Sequence, residues 1–377
     1  MTLVLLFSIT FMNILAGGDK VINVYSWGEF IADGKEGMIN ANEEFTKMTG
    51  IKVNYTTFQN NEELYAKLLS KGANYDVIIP SDYMISKLIK NGMLRKLNFK
   101  NIPNFSKIDK RFVNPVYDPD NLYSVPYVWG LVGIFYNKDK VDEPEEEIDW
   151  NILWNDKYKG KILMFDNARD AFAISHLRLG HSINTENENE WQRAAEELDK
   201  QRPLIQSYVM DQIFDKMGNN EAYIAPYYSG DAVTLMKSNP SLGFVIPKNG
   251  TNMFIDAMCI PTNSMYPQEA EAYINFMCNH DIALANVKKT GYSTPLTDVK
   301  ESLDKSILDN KLFYPDEEVL NKAQVFVDLP ENINALIDDL WLCVKIGSKS
   351  NPAMLVFVLG IFTIFYISVT LYKKKHN

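Results

Sequence analysis

The stretch VINVYSWGEFIADGKEGMINANEEFTKMTGIKVNYTTF, residues 21–58, decides the fold. Val21–Ser26 is rich in β-branched and aromatic residues and predicts a strand. Glu36–Met48 carries apolar residues at helical spacing and stops at Gly50, a helix-ending residue. Ile51–Phe58 returns to strand patterning. The alternation runs on: a helix over Glu62–Ser70 ending near Gly72, a strand over Tyr75–Pro80, and a helix over Met84–Lys90 stopped by Gly92. Strand and helix in turn at this spacing predict βαβ units and parallel sheets.

A second set of the same kind follows. Strands are predicted over Gly160–Phe165, Ala222–Tyr228, Leu242–Pro247 and Phe254–Ile260. Helices are predicted over Ala168–Leu179, Trp191–Lys200, Ala232–Lys237, Gln268–Cys278 and His280–Lys289. Tyr127–Tyr136, between the sets, reads as a long strand able to cross from one to the other. A single open sheet rarely absorbs so many units, and 377 residues suffice for two lobes. Ligands of such architectures sit at the carboxyl ends of strands and between domains. That places Trp27–Phe30, Ser81–Tyr83, Asp166–Asp170, Tyr228–Asp231 and Phe254–Asp256 at one cleft.

Those strand ends repeatedly join an aromatic ring to a carboxylate: Trp27 with Glu29 and Phe30, Asp82 with Tyr83, Tyr228 with Asp231, Phe254 with Asp256. Ammonium groups joined by methylenes need this mixture, because carboxylates make charge-assisted hydrogen bonds and ring faces cover the alkyl chain while attracting the cation. Asp166 and Asp231 also suit helix N-caps. The formal net charge of −10 accords with a cationic ligand and offers no basic stripe for nucleic acid. Four histidines and three cysteines lack metal-ligand spacing, and no GxSxG, HExxH or GxxxxGK[ST] motif occurs, so no catalytic residue, metal or cofactor is expected. His176 reads as a packing or surface residue, and Cys259, Cys278 and Cys343 as packing thiols.

The ends read differently. Leu3–Leu15 is apolar without a preceding Lys or Arg, a signal-like or truncated membrane segment covering residues 1–18. Residues 353–372 form an uncharged stretch followed by Lys373–Lys375, which predicts a transmembrane helix with a cytoplasmic basic tail, 373–377. The bulk of the chain is therefore expected on the outer face of a membrane, anchored at its C-terminus.

Seven segments in order carry a resemblance: residues 24–30, 75–83, 123–130, 166–170, 228–232, 254–261 and 290–295. Through them the chain resembles the polyamine-binding proteins of bacterial ABC importers, members of the two-lobed periplasmic binding protein family, over about Val21 to Lys345. The resemblance implies a type II fold, each lobe a mixed, mostly parallel sheet flanked by helices. One lobe takes 19–127 with 256–300 and the other 128–255 with 301–347, with crossings near 128–135, 250–255 and 300–306. It implies an aromatic box of Trp27, Tyr83, Tyr228, Phe254 and Tyr292, ammonium-binding carboxylates at Glu29, Asp170 and Asp256, and Ser81 in the lining, with Phe30, Asp82 and Asn167 beside them. A putrescine- or spermidine-like ligand and ABC permease subunits are the implied partners; another small organic cation or an amino acid is the alternative ligand. The chain departs from the family pattern at Asn167, where a carboxylate is expected, at Tyr228 and Phe254, which stand for tryptophans, at Phe30, which stands for a tyrosine, and near Phe326, where a glutamine is expected.

Overall fold

The computed structural model describes residues 20–28, 30–70 and 72–347. Among these residues nine strands form two sheets that share one long member. The first sheet holds β1 (Val21–Ser26), β2 (Lys52–Thr57), β3 (Val77–Ile78), β9 (Met253–Cys259) and the first half of β4 (Ser124–Asn137). The second holds the rest of β4 with β5 (Ile162–Phe165), β6 (Ile205–Val209), β7 (Ile224–Tyr228) and β8 (Leu242–Val245). The continuous order is β2-β1-β3-β9-β4-β7-β5-β6, with β8 paired to β4.

The long strand predicted between the two sets is β4, and it is buried along its whole length. It pairs with β9 from Ser124 to Leu131, then with β7 and β8 from Val132 to Asn137. One strand thus belongs to both lobes. β4 is antiparallel to each of these neighbours, while β1–β2, β1–β3, β5–β6 and β5–β7 are parallel, so the sheets are more evenly mixed than expected. The βαβ reasoning holds at the outer strands and fails where β4 and β9 cross, because crossing strands return rather than repeat.

Helices cover both lobes: α1 (Ala41–Thr49), α2 (Asn61–Leu69), α3 (Asp82–Lys90), α4 (Ala168–Leu179), α5 (Glu188–Gln201), α6 (Ile213–Gly218), α7 (Ser229–Ser238), α8 (Pro267–Met277), α9 (His280–Thr290), and, after short single turns, a last helix, α10 (Glu331–Ile346). Their ends follow local chemistry. Asn40, Asn60 and Asn167 cap α1, α2 and α4 by accepting backbone N–H bonds. Of the three, the cap of α4, Asn167, lies in the cleft lining.

The expected membrane helix falls at 353–372, outside the described residues. Among the described residues no helix is long and apolar enough to cross a membrane. The longest, α10, has 16 residues and includes Glu331, Asp338, Asp339 and Lys345. At 1.5 Å per residue it reaches about 24 Å, short of the roughly 30 Å hydrocarbon layer. The described residues form the two-lobed α/β architecture with no membrane-spanning helix among them, so the expected anchor, and the location that rested on it, find no support there. The stretches 1–18, 353–372 and 373–377 lie outside the described residues.

Candidate functional site

A cleft of about 710 Å³ opens between the lobes at the carboxyl ends of β1, β3, β6 and β7. Of the twelve residues expected there, ten line it: Trp27, Phe30, Ser81, Tyr83, Asn167, Asp170, Tyr228, Phe254, Asp256 and Tyr292. Glu29 lies outside the described residues. Asp82 sits behind the wall. Its carboxylate accepts the Tyr83 N–H at 2.7 Å and the Ile255 N–H at 3.3 Å, so it ties the start of α3 to β9. A one-residue step along the chain separates the exposed role from the buried one.

The carboxylates are the chemical core. Asp256, on β9, is only 2% exposed, and its Oδ1 has no hydrogen-bond partner among the described residues. Burial pushes its carboxyl up to about 7, against a hydrogen bond from Ser81 and with help from the nearby charge of Asp170. Asp170, in the first turn of α4, accepts the Tyr228 hydroxyl at 2.7 Å. Burial raises it likewise to about 7. Two carboxyls poised near neutrality and partly unpaired form a pole that an arriving cation can ionise.

Asn167 plays a different part. Its Oδ1 accepts the N–H groups of Arg169 and Asp170 at 3.0 and 3.4 Å, capping α4. The amide oxygen expected to face an ammonium is thus engaged by the helix terminus.

The rings form a connected wall. Phe254 meets Tyr228 and Tyr292 edge-on, with centroids 5.2 and 5.8 Å apart. Phe30 lies 5.2 Å from Tyr292, and Trp27 lies 4.6 Å from Phe58. The crossing strand sets this wall: Tyr127 donates to the Phe30 carbonyl at 2.6 Å, and Trp129 exchanges backbone bonds with Ser293, next to Tyr292. Tyr292 then reaches the second lobe, where its hydroxyl donates to Asp231 at 2.6 Å. A Cβ on Gly230 would collide with the Tyr292 ring, so glycine is required at this approach.

Several lining residues lay beyond the sequence reading: Phe58, Gln59, Asn61, Met210, Asp211, Phe214, Tyr227 and Asn252. Asp211 follows β6, a strand whose burial shows no clean alternation and which left no strand signal in the sequence. Asp231 was legible as a cleft residue but also suited a cap; it accepts the Tyr292 bond instead. Arg169 is 4% exposed and stacks on the Phe326 and Tyr83 rings, 4.5 and 5.1 Å from their centroids. It closes the far side of those two rings, outside the cleft lining. Asp170, Asp211, Asp231 and Asp256 line the cleft, and no Lys, Arg or His does so among the described residues. No cluster of His, Cys, Asp and Glu among the described residues fits a metal ion. His176 is buried against Trp191, with ring centroids 4.4 Å apart, and burial holds its pKa down at about 3.

The family profile described as bacterial extracellular solute-binding protein matches residues 40–313. The chain is 33% identical over 310 residues to the spermidine/putrescine-binding periplasmic protein of Escherichia coli, covering 82% of this chain and 87% of that one. It is 32% identical to the protein of the same name in Salmonella typhimurium, covering 88% and 93%. Among solved structures it is similar to the spermidine/putrescine ABC transporter substrate-binding protein of Streptococcus pneumoniae, with a TM-score of 0.73, 34% identity, and coverage of 88% and 100%. A Listeria monocytogenes structure matches with a TM-score of 0.82 at 35% identity, covering 87% and 99%.

Proposed function

Because the chain belongs to the bacterial extracellular solute-binding proteins, we propose that it captures a polyamine of the putrescine or spermidine type between its lobes and delivers it to an ABC permease. The observation that carries this reading is the composition of the cleft: four aspartates, a ring wall and no basic side chain among the described lining residues. Its relatives are named for the same ligands, and one of them for the transporter it serves.

In this reading Asp170 and Asp256 ionise and hold one ammonium, while Trp27, Tyr83, Tyr228, Phe254 and Tyr292 enclose the methylenes. Ser81 and Phe30 complete the wall. The lobes are taken as 19–127 with 256–300 and 128–255 with 301–347, joined through β4 and β9; the partner change of β4 at Leu131–Val132 supports that division. Binding draws the lobes together because groups from both contact the ligand only when they are close. The protein acts as a carrier and leaves its ligand chemically unchanged.

An amino-acid ligand is disfavoured, since its carboxylate finds no Lys or Arg on the described cleft wall. Thermal-shift measurements with putrescine, spermidine, spermine, glutamate and γ-aminobutyrate test the choice. Stabilisation by the polyamines alone is expected. A shift with an amino acid and none with any polyamine overturns the reading.

A further inference from the structure

Of the four aspartates that line the cleft among the described residues, Asp211 alone is exposed. It stands in the turn between β6 and α6, is exposed, and is fixed there by Ile213 N–H to Met210 O and Phe214 N–H to Asp211 O bonds of 3.0 and 3.1 Å. The hydroxyl of buried Tyr227 faces its carboxylate, which pushes the Tyr227 hydroxyl pKa up further than burial alone. Asp211 also crosses to the first lobe: its Oδ2 lies 3.1 Å from where a Cβ on Gly28 would stand. Glycine at position 28 is what gives the carboxylate room beside the backbone that follows β1.

Between this group and the buried pair stand two consecutive tyrosines. Tyr228 donates to Asp170, Tyr227 faces Asp211, and the two ring centroids are 4.9 Å apart. The cleft therefore has an inner carboxylate pole, dry and partly unpaired, and an outer one at the solvent side, with ring surface between them.

We propose that Asp211 is a second ammonium-binding group, contributed by one lobe across Gly28 of the other, and that it makes the cleft select linear cations charged at both ends over those charged at one. The proposal deepens the polyamine reading and rests on it. A monoamine satisfies the inner pole and leaves its alkyl end at Asp211; a diamine bridges both poles. The outer contact also joins the two lobes through the ligand, so the second charge favours the approach of the lobes.

The test compares putrescine with n-butylamine by titration calorimetry, on wild-type protein and on Asp211→Asn. The quantity read is the ratio of the two affinities, which is unaffected by the fraction of protein folded. Asp211→Asn should lower the ratio roughly tenfold, as befits one partly solvated charged hydrogen bond, with n-butylamine binding changed less than about twofold. The loss should shrink as salt is raised. Tyr227→Phe, which leaves the carboxylate in place, should keep most of the diamine preference. An unchanged ratio in Asp211→Asn, or an equal loss for both ligands, overturns the proposal while leaving polyamine capture standing. Wild-type protein that binds no polyamine removes the underlying reading instead.

Discussion

Asp256 shows how a binding site is held against the stability of its own fold. Its carboxyl is raised to about 7 in the folded protein, from the ordinary 3.8, chiefly by burial. The empty folded state therefore holds a proton that the unfolded chain releases near pH 4. Stability from this group is full below that pH and is lost as the pH rises through about 7. Asp170 acts in the same sense. The melting temperature of ligand-free protein should thus carry a falling contribution between about pH 4 and 7, reduced in Asp256→Asn. A cation reverses the sign, since it binds the ionised form: polyamine affinity should rise across the same window. Calorimetry near pH 7 in buffers of different ionisation heat should register proton release on binding. Asp256→Asn should weaken polyamine binding by about a hundredfold or more, the scale of breaking a buried charged pair, while raising the melting temperature of the empty protein at pH 8. Weak binding together with a lower melting temperature would point to a folding defect instead.

At the scale of elements, the site depends on a few strands and the turns that leave them. The recurrence of ring and carboxylate at strand ends was legible, because strand patterning places those ends and the short polar segments after them. The crossing strand was legible as a long apolar run, although its antiparallel pairing was not, since pairing direction leaves no mark on a strand buried on both faces. What escaped were roles decided by single steps in space. Asp82 and Ser81 are neighbours in sequence, yet one faces the wall's interior and the other the cleft. Asn167 matched a binding position and is held as a helix cap. Asp211 depended on β6, whose half-exposed residues carry no period. The Tyr292–Gly230 contact belongs here too. Gly230→Ala should push the Tyr292 ring off its seat, weaken its bond to Asp231 and reduce polyamine affinity several-fold, with a loss of stability of about 1–3 kcal/mol from overpacking. Denaturant melts and ligand titration read the two effects separately; a variant unchanged in both would show that the ring can move without cost.

For the whole molecule, the acidic balance and the shared strand act together. A net charge of −10 raises the local concentration of cations, an effect that should appear as faster association at low ionic strength. Because β4 belongs to both sheets, its partner change at Leu131–Val132 is a place where lobe closure would bend the chain. Small-angle scattering should then show a smaller radius of gyration with saturating putrescine; an identical curve would deny closure. The account depends above all on buried aspartates and rings in one groove holding a flexible polycation. Titration calorimetry of the purified protein with putrescine and spermidine tests this most directly. Binding in the micromolar range or tighter, about 8 kcal/mol or more, is predicted for at least one of them. No heat with either, at a pH above 7 where Asp170 and Asp256 ionise, would contradict it.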